Sequence, residues 1–137
     1  VDPALFEEFR EGLLRHIGME EKVLIPAARH ARGGEPLPVA RRLRLDHGAI
    51  AALLGPTPTP EIVAKILSVL GPHNAIEEGP DGLYETCDRL LAGEAAKFLE
   101  TLRAFPPVPL APHQDGPRVQ KHITDTLALA REAHSSA

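Results

Sequence analysis

The chain has 137 residues, 15 Lys and Arg against 19 Asp and Glu, and a formal charge of −4. At 43% hydrophobic and 25% charged it is too apolar for a solvated tail, and its length predicts one domain over 1–137. Its longest apolar runs fall far short of the roughly 20 residues of a membrane span, and no basic-then-apolar leader opens it, so a cytoplasmic protein is expected. The single cysteine, Cys87, has no disulfide partner within the chain and forms no C-x-x-C pair. The acidic balance disfavours nucleic acid, and the basic group Arg41, Arg42 and Arg44 reads as a solvated helix face.

Prolines punctuate the chain, and the segments between them are rich in Ala, Leu, Glu and Arg, with only 4% aromatic residues. An all-α fold follows. The first helix is expected over about 3–32, kinked near Pro26 and stopped by Gly33-Gly34. A second is expected from 38 to about 54, followed by a stiff connector that ends in Thr59, a helix-capping residue. The third runs 60–78, with a bend at Gly71-Pro72 and a break at Gly79-Pro80-Asp81-Gly82. The fourth covers 83–104 with a bend at Gly93, and a proline-rich linker over about 105–117 leads to a last helix from about 117 to 133.

The seven histidines become informative once they are laid on the apolar stripes of these helices. The first stripe is Phe6, Phe9, Leu13, His16, Glu20, Leu24, and the second is Val39, Leu43, His47, Ile50, Leu54. The third is Ile66, Leu70, His73, Glu77, and the last is Val119, His122, Thr126, Leu129. A polar residue in an apolar stripe needs a partner, because burial strips it of water. Residues four apart share a helix face, so His16 with Glu20 and His73 with Glu77 can each offer a nitrogen and an oxygen to one metal centre. The two copies share the pattern H-x-x-x-E-E, and a pseudo-symmetric bundle would bring them together. His47 and His122 are further candidate ligands. Glu21 and Glu78, about 100° round the helix from their neighbours, are expected to be solvated or to hydrogen-bond from outside the ligand set. His30 and His134 near helix ends are read as capping or solvated, His113 as exposed in the linker, and Tyr84 as a boundary residue able to hydrogen-bond into a nearby site.

The stretches RHIGMEEKVLIP, RLRLDHGAIAALL and PHNAIEEGPDGLYETCDRLL resemble the helices of the hemerythrin-like HHE cation-binding domain, over about residues 5 to 104. The resemblance implies a four-helix up-down bundle in which His16, Glu20, His47, His73 and Glu77 are metal ligands. It also implies that the two carboxylates bridge a pair of non-haem iron ions, with an oxo or hydroxo bridge. Zinc or manganese are other options. Family members open with a further histidine-bearing helix, whereas this sequence starts at Val1. The expectation is therefore a circularly permuted bundle in which the last helix fills the vacant place and His122 supplies the missing ligand. The GPDG break after Glu77 departs from the family's continuous helix.

The function this implies is binding or sensing of O2, NO or redox state, or handling of iron, with a small diatomic ligand or peroxide as partner and a homodimer allowed for. Two alternatives stand beside it, a di-iron oxidoreductase acting on peroxide or NO and a metal-free helical interaction module. No nucleophile or proton-transfer pair stands apart from the ligand set, so enzyme status is open.

Overall fold

Helix α1 (Pro3–Met19) begins at Asp2, whose carboxylate accepts the Leu5 N–H at 3.1 Å, in the computed structural model, which describes residues 1–135. It continues through a π-helical turn (Glu20–Leu24) into α2 (Ile25–Ala31). Pro26 is the local cause: it has no N–H to place in the ladder, and the turn before it widens so that Ile25 N–H reaches the Glu20 carbonyl. Helix α3 (Ala40–Leu53) follows, then α4 (Pro60–Glu78), with Thr59 Oγ1 capping Ile62 N–H. Pro72 sits inside α4 without breaking it. The expected fourth helix is divided at Gly93 into α5 (Leu83–Leu90), a short 3-10 turn (Ala92–Glu94) and α6 (Ala95–Arg103), and α7 (Pro117–Ser135) closes the described chain. No strand occurs among the described residues.

The turn between α4 and α5 is tight for a specific reason. A Cβ on Gly82 would meet the Ile76 carbonyl oxygen at 2.2 Å, so only glycine lets the chain pass there, and Asp81 takes a left-handed φ of 57°. α5 is thereby laid back over the end of α4.

Helix α3 is the centre of the packing, with α4 and α7 against it. Two apolar clusters hold the helices together. One joins Phe6 of α1, Ile50 and Leu53 of α3, Ile62 and Ile66 of α4, and Ile123, Leu127 and Ala130 of α7. The other joins Ala28, Leu37, Leu43, Leu83, Cys87 and Leu91. Each fully buried Leu or Ile in them contributes about 1.5–3 kcal/mol. Between the two clusters, the π-helical turn after α1, helix α3 and helix α4 each bring buried polar side chains to the same level: Glu20, Asp46 with His47, and His73 with Glu77.

The inward face of α7 differs from the expected stripe. Ile123, Leu127, Ala130 and Ala133 are buried, while His122 and Leu129 are exposed, a rotation of one residue. The linker is also less free than its prolines suggested. Arg15 donates to the Phe105 carbonyl, Gln114 N–H donates to the Gly55 carbonyl, and Asp115 accepts from Thr57. His113, expected to be exposed, is half-buried and bridges Glu7 and the Gly55 carbonyl.

Candidate metal centre

The polar layer is a cluster in which Glu20, His47, His73 and Glu77 each offer a ligand atom, all within 4.8 Å of one another. This buried group could hold a metal ion. His47 and His73 lie edge to face with ring centroids 4.9 Å apart. His47 Nε2 is 2.9 Å from Glu20 Oε1, and His73 Nε2 is 3.1 Å from Glu77 Oε2.

The outer ring nitrogens decide what those inner nitrogens are. His47 Nδ1 donates to Glu21 Oε1 at 2.6 Å, and His73 Nδ1 donates to Asp46 Oδ2 at 3.0 Å. A neutral imidazole has one N–H, so a carboxylate on Nδ1 leaves Nε2 as a bare lone pair. Both lone pairs then face carboxylate oxygens, an arrangement that repels unless a cation, either a proton or a metal ion, lies between them. Carboxylates that fix the tautomer of ligating histidines in this way are the usual outer layer of metal sites. Glu77 Oε2 completes the pattern. It is buried and has no hydrogen-bond partner, because His73 Nε2, though close, is not aligned to donate.

Without a metal, protons fill the same role. Burial opposes charge on His73, but Asp46 and Glu77 outweigh it and push its pKa up to about 9. Burial would also raise Glu20, yet hydrogen bonds from His16, His47, Glu77 and Tyr84 hold it well below the usual carboxylate range. Glu77 is raised, chiefly by burial and then by the neighbouring Glu20 charge. One carboxylate of the pair is therefore held ionised and the other favours its proton.

Of the sequence candidates, Glu20, His47, His73 and Glu77 come together. His16 is at the rim, half exposed, with Nε2 3.1 Å from Glu20 Oε2 and 2.9 Å from the Tyr84 hydroxyl. His122 is not brought to the cluster; it lies exposed on α7 beside an open groove. The GPDG break leaves Glu77 inside the last turn of α4 and carries Tyr84 over the cluster, where its hydroxyl donates to Glu20 Oε2 at 2.8 Å and lies 3.3 Å from Glu77 Oε1. Desolvation and the two carboxylates push the Tyr84 pKa upward, so the hydroxyl stays protonated as a donor.

Two contributors, Asp46 and His134, were not singled out by the sequence as part of the site, whereas Glu21, expected to be solvated or to hydrogen-bond from outside the ligand set, does the latter on His47. Asp46 is fully buried and also accepts from His134 Nε2 at 2.8 Å, so α7 reaches the centre through His134. The D-H pair at Asp46-His47 was a visible signal, but one stripe per helix hid it, since α3 is buried on several sides. His134, read as a helix-end residue, carried no signal. Glu21 reaches His47 together with Glu20 because both stand at the start of the widened turn.

Comparison of the chain with protein-family models, with curated proteins and with solved structures finds no match. The functional reading therefore rests on the geometry. No helix among the described residues is long and apolar enough to cross a membrane.

Proposed function

We propose that this chain is a metal-binding helical bundle of hemerythrin-like, up-down type, whose polar layer holds two non-haem iron ions and which binds or senses O2, NO or redox state. The observation that carries the reading is the pair of buried histidines with Nδ1 committed to Glu21 and Asp46 and Nε2 turned toward Glu20 and Glu77. Imidazole and carboxylate together suit first-row transition metals, and two such sets drawn from facing helices are what a paired-metal bundle uses.

The division of Glu20 supports two ions rather than one. Its Oε1 faces His47 and its Oε2 faces His16, so each oxygen has its own histidine, as a bridging carboxylate requires. Bound iron would supply one-electron redox change and an affinity for O2, NO or peroxide. The chain's own part is to hold the two imidazoles in one tautomer, to keep Glu20 ionised, and to place the Tyr84 hydroxyl as a fixed donor at the rim. The apolar clusters on either side of the layer restrict water. In the circularly permuted arrangement, α7 fills the fourth helix position by packing on α3, with His134 rather than His122 linking it to the centre.

The test is iron reconstitution of the unmodified chain beside His47→Ala/His73→Ala. Loss of bound iron in the double variant with its helix content kept is expected. Equal iron in both proteins overturns the assignment.

A further inference from the structure

An open groove of about 620 Å³ runs between α3, α7 and the linker, and none of Glu20, His47, His73 and Glu77 lines it. Its floor is made of the small residues Gly48, Ala51 and Ala52, and its walls carry Arg10, Arg118 and His122. No carboxylate lines it, although the chain as a whole is acidic at −4.

Of the two arginines, Arg118 has no matching anion among the described residues. Arg118 and His122, one helical turn apart at the start of α7, make no side-chain hydrogen bond or ion pair among the described residues. The positive end of the α7 dipole adds to their field. Arg10 is 5% exposed, and its guanidinium is held by Glu7 at 3.2 Å and the Ala111 carbonyl at 2.9 Å. Its Nε is buried with no hydrogen-bond partner among the described residues. Glu7 is shared with His113, so it offsets Arg10 only in part.

We infer that this groove binds a small organic anion with an apolar body and a single carboxylate head, the body lying on the Gly48–Ala52 floor and the head between Arg118 and His122. The apolar floor disfavours a bare inorganic anion, and the Arg118 guanidinium favours a carboxylate over a neutral apolar molecule. The volume is ample for a chain of eight to ten carbons, a scale at which drug-sized ligands are ordinarily enclosed.

The experiment is a titration of the full chain with octanoate, followed by amide chemical shifts, beside 1-octanol and inorganic phosphate, each with and without chelator. Octanoate is expected to shift amides around 48–52 and 118–126 and to bind about tenfold or more tighter than octanol or phosphate, unchanged by chelator. The exposed pair Arg118→Ala/His122→Ala is expected to weaken octanoate about tenfold, and Ala51→Phe to block it by filling the floor. Equal affinity for octanol, equal affinity for phosphate, unchanged binding in both variants, or no octanoate binding overturns the inference. Shifts confined to residues around His47 and His73 that vanish with chelator also overturn it, since they would place the carboxylate on the metal centre.

Discussion

His73 Nδ1–H donates a hydrogen bond to Asp46 Oδ2, 3.0 Å away, which leaves its other nitrogen turned toward Glu77. Asp46 is 1% exposed, and its carboxylate holds both His73 and His134. Replacing it with asparagine keeps the volume and removes the charge. Asp46→Asn is expected to lower metal affinity about 10- to 100-fold while leaving helix content unchanged, measured by competition against a chromogenic chelator. An affinity equal to that of the unmodified chain would show that the tautomer is set by something else.

Metal and proton compete for the same lone pairs, and this fixes a pH dependence. Folding raises the His73 pKa from 6.5 to about 9, so in metal-free protein its contribution to stability is complete below pH 6.5 and is lost as the pH rises to about 9. Metal binding must expel that proton, so affinity is expected to climb through the same window with proton release. At the acid end Glu20 has the opposite sign: its pKa is lowered from 4.5, and its contribution disappears as the pH falls below that value. Thermal melts on both sides of the upper window, with and without chelator, check this. Chelated protein should lose melting temperature with rising pH, and metal-loaded protein should not.

His16 and His122, both candidate ligands in the sequence, are predicted to differ. His16→Ala removes a nitrogen that faces Glu20 Oε2 and is expected to lower bound iron toward one ion per chain. His122→Ala lies on an exposed face and is expected to leave metal content unchanged. Mass-spectrometric metal counts on the two variants separate these outcomes.

Tyr84→Phe removes the donor 2.8 Å from Glu20 Oε2 without removing a ligand. Loss of a hydrogen bond to a charged acceptor is expected to cost about 1–3 kcal/mol of stability in metal-free protein, read by urea unfolding, while iron is still bound. Complete loss of iron would instead make the hydroxyl a ligand.

The helices were legible because Pro38, Pro60, Pro117 and the glycine pairs mark their ends. Glu20, His47, His73 and Glu77 were legible because a polar side chain in an apolar stripe is driven into the core with its neighbours and must find a partner there. Asp46 and His134 were hidden because their part in the outer layer depends on tertiary packing. Asp46 lies one residue off the stripe of α3 and is buried only because α3 has neighbours on several sides. The π-helical turn that lets Glu20 and Glu21 both reach His47 breaks the 3.6-residue periodicity that a stripe assumes. On α7, Ile123, Leu127 and Ala130 compete with the stripe through His122, and packing on α3 selects the former. His134 then reaches Asp46 from the same helix.

The most direct test of the metal centre is the metal content of protein purified without added metal, by mass spectrometry, with an absorption spectrum from the same sample. About two iron ions per chain with near-ultraviolet and visible charge-transfer bands are predicted. Protein that is free of metal, takes up no iron on reconstitution and melts at the same temperature with and without chelator would contradict the account, leaving the inward histidines as proton-bridged partners of Glu20 and Glu77.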